Sequence, residues 1–204
     1  MDATVRKSHW ENIYSTKSLN EVSWHEPKPD NSIKLIEKYA IDKNVTIIDI
    51  GGGDSFLADN LIALGFSNIT VLDISETAIE KAKIRLGENA NKIKWIISDI
   101  TSFEPTEKYD IWHDRAVFHF LTDVLDQEKY KELLTKSLNE NGTFIIGTFA
   151  IDGPTKCSGI TVQQYDIESI TKQFSRLKLV ENFNFQHPTP FNTFQKFIFA
   201  VFKK

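Results

Sequence analysis

The chain has 204 residues, 41% of them hydrophobic, and a formal net charge of −4. That is enough chain for a full core in one soluble domain, and the mild acidity excludes a general electrostatic footprint for nucleic acid. Cys157 is the only cysteine, which excludes an intrachain disulfide and a cysteine-based zinc cluster and suits a reducing cytoplasm. The start M-D-A-T-V-R-K-S-H-W has no apolar core for a signal peptide, and no apolar run approaches the ~18 residues of a membrane span.

Residues 8–31 are unusually aromatic. Trp10 and Tyr14 sit four apart on an expected short helix, while Trp24, His25, Pro27 and Pro29 read as an irregular segment. Two roles fit this stretch. Its aromatics can glue a flap to the sheet edge, or Tyr14, Trp24 or His25 can close over a ligand. The expected organisation is one domain, with residues 1–31 as an aromatic lid and 32–204 as the core. Residues 32–39 are expected to form the helix leading into the first strand.

Residues 46–50, T-I-I-D-I, read as a buried parallel strand stopped by Gly51, Gly52 and Gly53. A helix is expected over 55–64, since Leu57, Leu61 and Leu64 recur at helical spacing before Gly65. Residues 69–72 form a second strand ending on Asp73. This strand, glycine turn, helix, strand unit gives a right-handed crossover and a parallel sheet. The turn faces the crevice where open α/β sheets bind ligands. Asp73 follows Gly53 by 20 positions (73 − 53 = 20), the spacing at which a carboxylate accepts both ribose hydroxyls of a nucleoside.

A dinucleotide fingerprint would place its third glycine at position 56, which is Phe, so NAD is disfavoured. Asp49, two residues before the glycines, would repel a pyrophosphate and suit a cationic ligand. The string D-I-G-G-G-D-S resembles the first motif of class I S-adenosylmethionine-dependent methyltransferases, departing at Ser55, which is more often glycine there. The resemblance implies a three-layer Rossmann-like α/β sandwich. Its seven-stranded, mostly parallel sheet would have the order 3-2-1-4-5-7-6 and an antiparallel last strand. It also implies S-adenosyl-L-methionine as cofactor, S-adenosyl-L-homocysteine as product and no metal. Gly51, Gly52, Gly53, Ser55, Asp49, Asp73 and Ile74 would then surround the cofactor, with Tyr14 and Trp24 closing over it.

Ser75 is an N-cap for a surface helix with an inner stripe of Ile79, Ala82 and Leu86. The third strand, 93–97, leads to Asp99, which in the resembled family receives the adenine amino group while Ile100 flanks the ring. The fourth strand, 111–113, delivers Asp114 and Arg115 to the same sheet edge. The string D-R-A-V-F-H-F is similar to one in a subgroup that includes protein lysine methyltransferases, with Ala116 in place of glycine and His119 in place of an acid. His119 is expected to assist acceptor deprotonation and Asp114 to orient the acceptor and border the cofactor. A core histidine and a loop cap are the plain alternatives.

A helix over 125–138 is expected to end at Gly142 in a left-handed cap. A fifth strand over 143–149 runs into a long polar loop over the carboxyl edge. Asp166 caps a short helix, and residues 177–185 and 194–202 alternate as an antiparallel strand pair. The 15 Phe residues read as core.

Methyl transfer from a sulfonium to an N, O or S atom of a small molecule is the first reading of function. A protein lysine is the second acceptor. A non-catalytic nucleoside sensor, or an oxidoreductase without its third glycine, is the alternative from another class. The chain lacks the Pro-Pro-aromatic motif of amino-methylating nucleic-acid enzymes, so neither nucleic acid nor a membrane is an expected partner. The expected assembly is a monomer or homodimer.

Overall fold

The computed structural model describes residues 2–204. Helix α1 (Ala3–Thr16) is capped by Asp2, and α2 (Asp30–Tyr39) leads into strand β1 (Thr46–Ile50). Then follow α3 (Leu57–Ala63), β2 (Asn68–Asp73), α4 (Glu76–Leu86), β3 (Ile93–Ile97), β4 (Tyr109–Arg115) and α5 (Val124–Ser137). The chain ends with β5 (Leu138–Phe149), a small hairpin of β6 (Lys156–Cys157) and β7 (Ile160–Thr161), α6 (Ile167–Gln173), β8 (Lys178–Pro188) and β9 (Phe194–Lys203).

Seven strands form one sheet in the order β3-β2-β1-β4-β5-β9-β8. The first five are parallel, and β9 pairs antiparallel with both β5 and β8. With the small hairpin left out of the count, this is the expected order. Two apolar layers bury the sheet. Ile47, Val71, Ile111, Ile145 and Val201 pack with Leu35, Ile36 and Leu61 of α2 and α3. Ile48, Leu72, Trp112, Phe144 and Phe202 pack with Tyr130, Leu134 and Ile170 of α5 and α6. The alternation of strand residues between the two layers is the period of two that a pleated strand imposes.

Element ends differ from expectation where turn chemistry decides them. Strand β5 starts five residues earlier than expected, at Leu138 rather than 143, because helix α5 passes straight into it. Left-handed backbone there falls on Asn141 (φ 65°) and not on Gly142. Asparagine tolerates this conformation through its short polar side chain. Helix α3 starts at Leu57, where the Ser55 hydroxyl accepts the Leu57 N–H at 3.1 Å. Eight Phe side chains are buried, at positions 66, 118, 144, 149, 174, 197, 199 and 202, whereas Phe191 and Phe194 are exposed. Among the described residues no helix is long and apolar enough to cross a membrane.

Candidate active site

A single crevice runs along the carboxyl ends of β1 to β5, floored by the glycine turn and roofed by α1 and the strap that follows it. Its backbone geometry starts at Gly51 and Gly53, which have φ of +66° and +43°. A Cβ on Gly53 would lie 2.8 Å from both Asp73 Oδ2 and Tyr14 Oη, and one on Gly51 would strike Val117. Only glycine leaves this space open.

Asp73, at the end of β2, is 5% exposed and accepts the Ser75 N–H at 2.8 Å. Burial is the main reason its carboxyl is pushed up to about 7; the Ser75 N–H pulls it down, and the nearby Asp49 and Glu11 charges push it further up. Five acids line the crevice. Four of them face a basic or imidazole side chain: Asp54 with Arg85, Glu26 with Arg115, Asp99 with Arg6 and Asp49 with His113. Among the described residues Asp73 has none. A buried carboxylate without a cation is costly, and ligand hydroxyls are the groups that would offset it. Tyr14 roofs the same space, its hydroxyl held well above its ordinary pKa by burial and by the Asp73 charge.

Asp49 and His113 are register partners in β1 and β4, so their side chains share a face. Asp49 Oδ1 lies 2.7 Å from His113 Nδ1, and His113 Nε2 lies 2.8 Å from the Ser32 hydroxyl of α2. This buried chain fixes the carboxylate that precedes the glycines. At the end of β3, Asp99 Oδ1 accepts the Thr101 N–H and hydroxyl, while Oδ2 accepts Arg6 Nε at 2.8 Å. Arg6 also reaches Asp126 at 2.6 Å, and together the Arg6 and Thr101 contacts hold the Asp99 carboxyl below its ordinary range although burial works against this. Ile74, Ile100, Ser55, Tyr14 and Trp24 all line the crevice with these acids.

Two expected residues lie elsewhere. Asp114 is fully buried beneath the crevice, accepting from the Val117 and Phe118 N–H groups and from the Tyr130 hydroxyl at 2.6 Å. Burial raises it to about 6 against those bonds. It caps the turn after β4 and does not line the crevice, where it was expected to orient the acceptor and border the cofactor. His119 is also fully buried, and its Nδ1 accepts the Phe149 N–H at 3.3 Å. Burial, and secondarily Arg115, lowers it to about 3. Its ring packs on Phe149 at 4.5 Å, and His119 itself does not line the crevice. Asp114 lies on the face of β4 that points into the α5–α6 layer, in register with Ile50 and Ile146, and the left-handed turn at Ala116 (φ 71°) then carries His119 below the surface.

Sequence reasoning missed Arg6, Ser32, His113 and Gln195, which carry no motif. The one available signal was His113, a polar residue inside an otherwise apolar parallel strand.

Residues 41–185 match the family described as Methyltransferase domain, and the chain belongs to it. Malonyl-[acyl-carrier protein] O-methyltransferase of Anoxybacillus flavithermus is 36% identical over 105 residues, covering 51% of this chain and 39% of that protein. EEF1A lysine methyltransferase 2 of Homo sapiens is 24% identical over 155 residues, covering 69% of this chain and 66% of that protein. The chain therefore spans less than two thirds of the length of these relatives. Among solved structures, the N-methyltransferase NodS of Bradyrhizobium japonicum in complex with S-adenosyl-l-homocysteine superposes with a TM-score of 0.70 at 17% identity. That match covers 100% of this chain and 99% of NodS.

Proposed function

We propose that this chain is an S-adenosylmethionine-dependent methyltransferase acting on a small molecule, with residues 3–31 as the lid over its crevice. The observation that carries the reading is Asp73. It is a buried carboxylate with no cation among the described residues, set across the side-chain-free space of Gly53 from the Tyr14 hydroxyl. A ribose diol fits that chemistry, because two hydroxyl donors supply what the carboxylate lacks. Asp99 and Ile100 would hold the adenine, and Asp49, fixed by His113 and Ser32, would face the positive end of the ligand. The cofactor supplies a methyl group on a sulfonium that already carries the driving charge. The protein's part is to align an acceptor with it and exclude water, a proximity effect of roughly 7 to 11 kcal/mol.

The lid is fastened at several points. Glu11 accepts from the Glu76 and Thr77 N–H groups at the start of α4, and Lys81 reaches the Tyr14 and Lys17 carbonyls at the end of α1. Trp10 meets Trp24 and Phe120 edge-on at 5.8 and 5.1 Å, so the aromatics both glue the lid and wall the crevice.

Calorimetry with S-adenosylmethionine, S-adenosylhomocysteine and NAD tests the reading. Both sulfur ligands are expected to bind and NAD is not. Binding of NAD alone would replace it with the oxidoreductase reading.

A further inference from the structure

A second polar cluster lies at the end of the crevice away from Asp73. Arg115 leaves β4 with Nη2 3.0 Å from Glu26 Oε2 and 3.3 Å from His187 Nδ1, and its Nη1 donates to the Trp24 carbonyl at 3.3 Å. His187 Nε2 donates to the Ser23 carbonyl at 2.9 Å, which leaves Nδ1 as the acceptor facing Arg115. Gln195 stands opposite His187 in the β8–β9 ladder and donates through Nε2 to the Ser23 hydroxyl at 3.1 Å. Its Oε1 is buried and has no partner among the described residues, although Gln195 lines the crevice.

An orphaned buried polar atom asks for an explanation, and a carbonyl oxygen asks for a donor. Glu26 offers a second acceptor oxygen at the same end. Burial raises its carboxyl above the ordinary value, outweighing the Arg115 charge beside it. A carboxylate ligand would compete with Glu26 for Arg115, set its charge against that carboxylate, and offer no donor to Gln195 Oε1. An ammonium would meet the Arg115 charge and lack the lone pair needed for attack. An uncharged NH2 group has two donors for two oxygens and a free lone pair, where a hydroxyl has one donor. The walls here are Trp24, Phe120, Phe149 and Phe197, flat surfaces suited to a planar ring.

We propose that the methyl acceptor is an uncharged arylamine stacked among these rings, with its N–H groups taken by the Glu26 carboxylate and Gln195 Oε1, and that Glu26 receives the displaced proton. This rests on the methyltransferase reading above. The nitrogen lone pair forms the N–C bond, and the C–S bond breaks with its electron pair going to sulfur. One N–H proton passes to Glu26, leaving a neutral N-methylamine and a neutral thioether. The Glu26 side chain is 18% exposed, enough to release the proton to water. Arg115 is a positioning residue that holds Glu26 in place.

The test titrates aniline, phenol and benzoate into protein saturated with S-adenosylhomocysteine, then replaces that ligand with S-adenosylmethionine and follows N-methylaniline by mass spectrometry. Aniline is expected to bind best, and Gln195→Leu to weaken it tenfold or more without changing S-adenosylhomocysteine affinity. Glu26→Gln is expected to keep aniline affinity within threefold and to slow N-methylaniline formation at least a hundredfold, the ordinary size of a lost acid–base contribution. Preferred binding of benzoate or phenol, no binding of any probe, no N-methylaniline, or unchanged behaviour of both variants would overturn the proposal. Failure of S-adenosylhomocysteine itself to bind is a separate result that overturns the methyltransferase reading.

Discussion

The two ends of the crevice are built in different ways. The end around Asp49, Asp73 and Asp99 comes from consecutive strand-turn-helix units, and each acid leaves its strand at the same edge. The end around Arg115 joins segments 72, 91, 164 and 172 residues apart, through Arg115–His187, Arg115–Trp24, His187–Ser23 and Gln195–Ser23. The first end is fixed by backbone geometry that any chain of this pattern repeats. The second is fixed by which side chains residues 23–26, β4 and the last hairpin bring together.

Breaking the floor beneath both ends should have the largest effect. Asp114→Ala leaves the Tyr130 hydroxyl and two backbone N–H groups without their buried acceptor. It should cost about 3 kcal/mol of unfolding free energy in urea denaturation. An unchanged midpoint would show that Asp114 is not a structural cap. Next, Asp73→Ala should weaken S-adenosylhomocysteine by about 1.5 to 3 kcal/mol, roughly 10- to 150-fold in calorimetry, while leaving the acceptor end intact. Equal affinity would move the ribose elsewhere.

Arg6→Met should loosen α1 by about 1 to 3 kcal/mol, since Asp99 and Asp126 lose their shared cation in a partly buried setting. Faster proteolysis of residues 3–16 is the readout, and Asp126→Asn should reproduce part of it. The smallest effect belongs to His119→Leu. The histidine's Nε2 has no partner among the described residues and only the long 3.3 Å bond from the Phe149 N–H is lost, so stability should fall by about 1 kcal/mol and ligand binding should not change. Loss of binding would return His119 to the crevice.

Asp73 also makes the contrast depend on pH. Its carboxyl stands at about 7 in the folded chain against 3.8 ordinarily, so the folded state holds the proton more tightly. Its contribution to stability is then fully present below about pH 4 and is lost as pH rises to about 7. Asp114, raised to about 6, acts in the same direction over the lower part of that window. The melting temperature of the ligand-free protein should fall from pH 5 to 7.5 with a slope that Asp73→Asn reduces. S-adenosylhomocysteine should bind more tightly over the same range, because ribose hydroxyls donate to the ionised form.

The strand order, the glycine turn and the positions of Asp49, Asp73 and Asp99 were all legible in the residue order. Hydrophobic period and glycine placement act over a few residues, and a parallel sheet carries them to a known edge. The burial of Asp114 and His119 follows from local geometry the string D-R-A-V-F-H-F does not display, and for Asp114 that is the face of β4 it shares with Ile50 and Ile146. Left-handed backbone at Ala116 turns the following segment inward, and Phe118 and His119 become core. The engagement of Asp99 by Arg6 was equally invisible, since 93 residues separate the pair. By itself the sequence determined the sheet and the end of the crevice made of backbone turns and strand-terminal acids, because those follow from short-range periodicity. Only the tertiary structure decided which polar groups face the crevice and which lie beneath it. Long-range packing sets the direction of each side chain, and spacing along the chain does not encode it.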